Sequence, residues 1–145
     1  MYHDIPVFIV DNHNHALKFR QEWDKWWPMT LIHIDQHSDA AILVNEETNV
    51  GNFITAAVKS WIVDNVIQIR SDYALKHFNF QNILNFPNII VDIDMDFRVE
   101  KENIESDFEI VREIMKQAKI ITIATSPYFM DQTQAISLIK QLLHE

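Results

Sequence analysis

The sequence contains no cysteine, and its 145 residues include a single glycine, Gly51. Without cysteine there is no disulfide, thiolate zinc site, iron–sulfur cluster or cysteine nucleophile. One glycine is too few for the glycine-rich turns that hold phosphates in P-loops and dinucleotide-binding folds. ATP or NAD chemistry of that kind is therefore excluded.

Basic residues are also scarce. The chain has 12 Lys and Arg against 21 Asp and Glu, a net charge of −9. Nucleic-acid affinity comes largely from basic side chains that neutralise phosphates, so we expect no nucleic-acid partner. The negative charge suits a cationic substrate or a metal ion.

Long apolar runs are missing as well, since none approaches the roughly 18 residues of a membrane span. The opening "MYHDIPVFIV" has no Lys or Arg and does not resemble a signal sequence. We therefore expect a cytoplasmic protein with no membrane partner. Hydrophobic residues make up 48% of the chain, enough to bury one core, so residues 1–145 are predicted to form one domain.

Short apolar runs alternate with segments of helical period. Strands are predicted at residues 7–10, 30–34, 65–69, 88–93 and 120–124, and helices at about 16–27, 53–63, 104–118 and 135–142. Residues 72–87 receive no assignment. Apolar strands separated by helices are typical of an α/β protein, here a minimal three-layer α-β-α sandwich with a mostly parallel sheet.

Acidic and histidine side chains follow the predicted strands. In a parallel sheet the carboxyl ends of the strands meet at one edge, so these side chains are expected to gather there. The first strand is followed by Asp11, His13 and His15, the second by Asp35, His37 and Asp39, the fourth carries Asp92, Asp94 and Asp96, and the fifth is followed by Ser126.

Two of these groups predict a metal centre. Asp35 and His37 point to the same side, about 6.6 Å apart at the rise of a strand, and "VDIDMDF" places three carboxylates in the same way. Clustered carboxylates repel one another, and a divalent cation offsets that repulsion. Carboxylate and imidazole are ligands of Mn²⁺, Fe²⁺ and Zn²⁺, and there are enough of them for two ions that share a bridging hydroxide.

Each motif alone has a simpler interpretation. A single D-x-D caps a helix or lies in a solvated loop in many proteins, and His13 alone is typical of a hydrogen-bonded structural histidine. The three tryptophans at positions 23, 26 and 27 are interpreted as core residues. The combination of Asp-x-His-x-Asp with Asp-x-Asp-x-Asp, each at a buried strand, favours the metal.

These stretches resemble a known superfamily. "IHIDQHSD" is similar to the D-A-H-x-D signature of the arginase, agmatinase and ureohydrolase superfamily, "VDIDMDF" to its second D-x-D signature, and "VDNHN" to its G-G-D-H segment. Together with "ITIATSPYF", they resemble a family of short arginase-like proteins that includes the peptide arginases. Those enzymes convert arginine side chains of ribosomally made precursor peptides to ornithine and release urea. The resemblance extends from about residue 7 to residue 128.

The resemblance implies two Mn²⁺ ions and a ligand set, with Fe²⁺ or Zn²⁺ as other possible metals. One ion would be held by His13, Asp35, Asp39 and one aspartate of the second cluster, the other by Asp35, His37 and two aspartates of that cluster. The register stays open between Asp92/Asp94 and Asp94/Asp96. Strand length favours the second, which would put Asp92 behind the ligands. "VGNF" implies that Asn52 contacts substrate.

The chain departs from the superfamily pattern at two catalytic positions. Ile54 stands where a proton-shuttling histidine is usual, and Ala124 where a guanidinium-binding glutamate is usual. Candidate replacements are His15 and Asp131 for acid–base catalysis, with Ser126 and Tyr128 for substrate binding. Asp35 and Asp94 are the central catalytic candidates.

The reaction that the resemblance implies is attack of the bridging hydroxide on the guanidinium carbon of a peptidyl arginine. Alternatives are another C–N hydrolase such as a deacetylase, or a metal- or partner-binding domain without turnover. A phosphoesterase is disfavoured because the motifs lack Lys and Arg. The sequence is also compatible with a homo-oligomer.

Overall fold

The computed structural model describes residues 1–12, 29–36, 53–59, 63–98 and 104–144. Five strands form one sheet: β1 (Val7–Val10), β2 (Thr30–Ile34), β3 (Asn65–Ile69), β4 (Ile89–Asp94) and β5 (Ile120–Ala124). Their order is β1-β5-β4-β2-β3, and all four neighbouring pairs are parallel. The predicted strands and the parallel sheet are confirmed.

Helices cover both faces of this sheet. They are α1 (Phe53–Lys59), α2 (Asp72–Lys76), α3 (Ile104–Met115) and α4 (Gln132–Leu143), with 3₁₀ turns at Phe80–Asn82 and Met95–Arg98. Side chains of α1 pack on one face, and those of α2, α3 and α4 pack on the other. The predicted three-layer α/β architecture is therefore confirmed.

The limits of the helices differ in part from the prediction. The helix predicted over 53–63 is described over Phe53–Lys59, and residues 60–62 lie outside the described residues. The helix predicted over 104–118 ends at Met115 in a tight turn, although Ala118 is still buried. Residues 72–87 contain α2 and a 3₁₀ turn. The helix predicted at 16–27 lies outside the described residues.

The face under α2, α3 and α4 is apolar along the whole length of the strands. On the two central strands it presents Ile32 and Ile34 from β2, and Val91 and Ile93 from β4. Phe108 of α3 is fully buried against this face. Burial of each such side chain contributes about 1.5–3 kcal/mol, so this layer carries most of the hydrophobic stabilisation.

The opposite face, under α1, changes from apolar to acidic along the strands. Residues two apart on a strand share a face, so the pairing register divides this side of the sheet into three rows. The first is apolar: Ile120, Ile90, Leu31 and Val66. The second contains Phe8, Thr122, Asp92, His33 and Gln68, and the third contains Val10, Ala124 and Asp94. The polar groups thus lie at the carboxyl end of the sheet.

Candidate metal centre

Three carboxylates converge at the carboxyl edge of the sheet. Asp35 directly follows β2, Asp94 is the last residue of β4, and Asp96 lies in the 3₁₀ turn after it. One oxygen from each lies within 4.8 Å of the other two. The side chains are nearly buried, with exposed fractions of 1%, 3% and 7%. The sequence predicted this convergence from the positions of the aspartates at the strand ends.

Hydrogen bonds fix the orientation of Asp94, which lies at the middle of the sheet. Its Oδ1 accepts a bond from the Ser126 hydroxyl at 2.5 Å and another from the Asp96 N–H at 3.1 Å. Ser126 lies just after β5 with φ of 48°, a left-handed conformation that costs a non-glycine residue about 1–2 kcal/mol. Its own N–H donates to the Asp11 carbonyl at 2.8 Å, which holds the hydroxyl on Asp94.

The electrostatics of this cluster suit a cation. At 4.8 Å and an effective dielectric constant of about 20, each pair of ionised carboxylates repels by about 3.5 kcal/mol. Burial adds a desolvation cost for every charge that remains. A divalent cation offsets both terms, and oxygen donors of this type are ligands for Mn²⁺. The three residues therefore fit a metal ion.

Asp92 lies outside this cluster, one row deeper in the sheet. Its Oδ1 accepts a hydrogen bond from the Thr122 hydroxyl, and its Oδ2 lies 3.7 Å from His33 Nε2. Of the two registers that the sequence left open, the structure places Asp94 and Asp96 beside Asp35. The role of these residues as metal ligands stays a prediction.

Several predicted site residues lie outside the described part of the chain. These are His13, His15, His37, Asp39 and Asn52. They include all three histidines that the sequence nominated. The structure therefore describes the predicted aspartate ligands other than Asp39, and none of the predicted histidine ligands.

The remaining candidates occupy different environments. Asp131 is exposed and caps the N-terminus of α4, where its carboxylate accepts the Gln134 N–H. Tyr128 is 83% exposed in the turn after β5. The hydroxyl of Ser126, predicted as a substrate contact, donates to Asp94. The catalytic and substrate-binding assignments of these residues remain predictions.

The two positions that depart from the superfamily pattern are both buried and apolar. Ile54 of α1 packs in the smaller core cluster, against the apolar first row of the sheet face that α1 covers. Ala124 ends β5 and pairs in register with Asp94. Neither side chain can transfer a proton or bind a guanidinium.

His33 and Thr122 are polar residues near the cluster that the sequence analysis did not nominate. Both are fully buried within strands. His33 precedes Asp35 by two residues in an otherwise largely apolar strand, so alternation places it on the same face. That spacing is the signal that could have identified it.

A second ionic group lies on the helical layer of the opposite face. Arg112 of α3 donates to a carboxylate oxygen of Glu105 at 2.6 Å and to the backbone carbonyls of Gln141 and Leu142 on α4. The bond from Arg112, with a further bond from the Gln141 side chain, lowers the pKa of Glu105 below 4.5. This group joins the two helices and has no part in the carboxylate cluster.

Comparison with known proteins shows relationships of structure only. No family model and no curated protein matches the sequence. Among solved structures, a proclavaminate amidino hydrolase from Streptomyces clavuligerus matches with a TM-score of 0.66 and 15% identity, over 94% of this chain and 61% of that one. A formimidoylglutamase from Bacillus subtilis subsp. subtilis str. 168 matches with a TM-score of 0.70 and 14% identity, over 96% and 60%.

The chain spans about three fifths of the length of these two proteins. In the described residues, no helix is both long and apolar enough to cross a membrane.

The two structural matches confirm the fold predicted from the sequence, which this protein shares with an amidino hydrolase and a formimidoylglutamase.

Proposed function

We propose that the protein is a manganese-dependent hydrolase that removes the amidino group of arginine side chains in peptides. The products are an ornithine side chain and urea. One observation carries the proposal: the buried carboxylates of Asp35, Asp94 and Asp96 converge at the carboxyl edge of a sheet whose fold is also that of an amidino hydrolase. The position of this cluster is the usual one for a site in an open α/β sheet.

The three clustered aspartates and Ser126 have separate roles in this reaction. Asp35, Asp94 and Asp96 bind the metal ions, and Ser126 fixes the orientation of Asp94 through its hydroxyl. When bound, the metal ions supply a nucleophile from water near neutral pH and stabilise the charge that develops on the substrate. Water adds to the guanidinium carbon, the bond to the side-chain nitrogen breaks, and that nitrogen leaves as an amine.

The substrate class rests on charge and on the sequence resemblance. An acidic site in a chain of net charge −9 attracts a cationic guanidinium and raises its local concentration. Arginine within a peptide, in preference to free arginine, is supported by the similarity of four stretches to the short arginase-like proteins. The negative charge and the sequence similarity both bear on which substrate binds, so turnover requires a direct assay.

The assay measures urea and peptide mass after incubation of the manganese-loaded protein with arginine-containing peptides. We expect conversion of arginine to ornithine that stops when Mn²⁺ is chelated and in Asp35→Asn. Asp64→Asn is the matched control, because Asp64 is an exposed carboxylate at the opposite edge of the sheet. Normal turnover in Asp35→Asn would contradict the role given to that carboxylate.

A second candidate is a metal-binding domain without turnover. It is favoured by Ile54 and Ala124, which are buried and apolar at the positions where the superfamily has its acid–base and guanidinium-binding groups. The same experiment separates the two candidates. Bound metal with no urea from any arginine substrate supports the binding domain, and urea release supports the hydrolase.

A further inference from the structure

A histidine lies fully buried beneath the carboxylate cluster. Nε2 of His33 is 3.5 Å from Oδ2 of Asp35 and 3.7 Å from Oδ2 of Asp92. All three side chains are almost completely inaccessible to solvent. A single ring nitrogen thus faces two carboxylates on neighbouring strands.

The sheet register builds this arrangement. His33 of β2 pairs with Asp92 of β4, and Asp92 pairs with Thr122 of β5. The Thr122 hydroxyl donates to Oδ1 of Asp92, so the two oxygens of that carboxylate are engaged in opposite directions. A line of polar contacts therefore crosses three strands, from Thr122 through Asp92 and His33 to Asp35.

A contribution to folding stability does not by itself explain why polar side chains are buried along this line of contacts. Buried ionisable groups lose their hydration, and well-packed apolar side chains of similar volume are often as stabilising or more so. The other face of the same strands shows the apolar solution, with Ile32 beside His33 and Val91 beside Asp92. The polar contacts instead act on Asp35, the carboxylate at the upper end of the line.

We infer that His33 is a positioning residue: supported by Asp92 and Thr122, it sets the orientation of the Asp35 carboxylate in the metal centre. This inference rests on the proposed function, because it requires Asp35 to bind metal. Groups that hold a metal ligand in place typically change metal affinity by roughly 10–100-fold when they are removed. His33, Asp92 and Thr122 are expected to act together in this way.

The test separates metal affinity from stability. In His33→Leu/Asp92→Val both members of the buried pair become apolar, while the Thr122 hydroxyl loses its acceptor and Asp35 loses its contact with His33. We expect its thermal unfolding midpoint in chelator to fall by no more than the several degrees that correspond to a lost buried hydrogen bond. Its affinity for Mn²⁺, measured by titration calorimetry, is expected to fall roughly 10–100-fold.

Three further variants make the test specific. His33→Gln keeps an N–H at a similar distance from the backbone and is expected to retain much of the affinity. Thr122→Val keeps the shape but removes the donor to Asp92, so a severalfold loss is expected, and this variant carries the test if the double variant does not fold. Ile32→Val, on the same strand but the opposite face, is expected to lower stability and leave Mn²⁺ affinity unchanged.

The outcomes distinguish this inference from the proposed function. Wild-type affinity in the double variant, or in Thr122→Val if only that protein folds, overturns the positioning role and leaves the hydrolase proposal standing. Equal losses in His33→Gln and the double variant also overturn it, because the N–H would then have no part. A wild-type protein that binds no Mn²⁺ overturns both.

Discussion

Replacement of Asp96 by asparagine is expected to stabilise the metal-free protein and to destabilise the metal-loaded one relative to the wild type. In the wild type, one oxygen of Asp96 lies within 4.8 Å of an oxygen of Asp35 and of Asp94. Asparagine has nearly the same shape but no charge. Two of the three repulsive pairs in the cluster therefore disappear.

The size of the effect follows from the geometry. Two pairs at about 3.5 kcal/mol each would give about 7 kcal/mol at an effective dielectric constant of 20. Rearrangement of the side chains and nearby water reduces this repulsion in the metal-free wild type, so the full figure is an upper limit. We therefore expect a gain of about 1–4 kcal/mol in the free energy of unfolding of metal-free Asp96→Asn. At roughly 4 °C per kcal/mol for a chain of this size, the unfolding midpoint rises by several degrees or more.

Addition of Mn²⁺ is expected to reverse the order. Mn²⁺ at 1,000 times its dissociation constant stabilises the folded wild type by about 4.1 kcal/mol, more than the advantage of about 1–4 kcal/mol expected for metal-free Asp96→Asn, and that variant should gain much less from the ion. The assay is urea unfolding of both proteins, first in chelator and then in Mn²⁺. Asp64→Asn is the control and should behave as the wild type in both conditions. The reasoning fails if Asp96→Asn is less stable than the wild type in chelator, or if Mn²⁺ stabilises both proteins equally.

Three other substitutions test separate parts of the structure. Ser126→Ala removes a hydroxyl bonded to a predicted ligand, so Mn²⁺ affinity in calorimetry should fall by about tenfold. Asp131→Ala removes the cap of α4 and should cost about 1 kcal/mol in urea unfolding, with Mn²⁺ affinity unchanged. Because the bond from Arg112 lowers the pKa of Glu105, the stability that this pair adds is present above pH 4.5 and is lost as the pH falls below it. Unfolding midpoints of Glu105→Gln and the wild type should therefore converge below pH 4.5.

For each of these three predictions, one result would contradict the expectation. Unchanged affinity in Ser126→Ala would mean that the orientation of Asp94 does not depend on the hydroxyl. Loss of activity in Asp131→Ala without loss of stability would support the catalytic role that the sequence predicts for this residue. A constant difference between Glu105→Gln and the wild type from pH 7 to pH 3 would show that the ion pair does not contribute through its charge.

The fold was predictable because each strand carries its own local signal. "VFIV", "TLIHI" and "IITIA" are short apolar runs between segments of helical period, a pattern typical of a parallel sheet covered on both faces. The limits of the helices were less predictable. Ala118 continues the apolar period of α3 and is buried, yet the helix has already ended, because burial requires an inward side chain and not a helical backbone.

The site was predictable where it depends on the ends of strands, and less so where it depends on register. Asp35, Asp94 and Asp96 could be placed at one edge from the sequence. The contact between His33 and Asp92 could not, because it requires that these two residues be exact neighbours across β2 and β4. A single sequence gives the face on which each side chain lies, but not its partner on the next strand.

The choice between the two aspartate registers shows the same limit. By alternation along an extended chain, the sequence places both pairs, Asp92/Asp94 and Asp94/Asp96, on one face. What separates them is depth: Asp92 lies within the strand and is bonded to Thr122, whereas Asp96 lies in the turn beyond it. The length of the strand before the first ligand carried that information only approximately.

The acidic edge of the sheet is predicted to hold metal, and metal content per chain tests this most directly. The protein would be expressed with added manganese, purified without chelator and measured by elemental mass spectrometry beside Asp35→Asn and Asp64→Asn. The account predicts two manganese ions per chain in the wild type and in Asp64→Asn, and a clear loss in Asp35→Asn. A wild-type protein without bound metal, or one whose metal content is unaffected by Asp35→Asn, would contradict it.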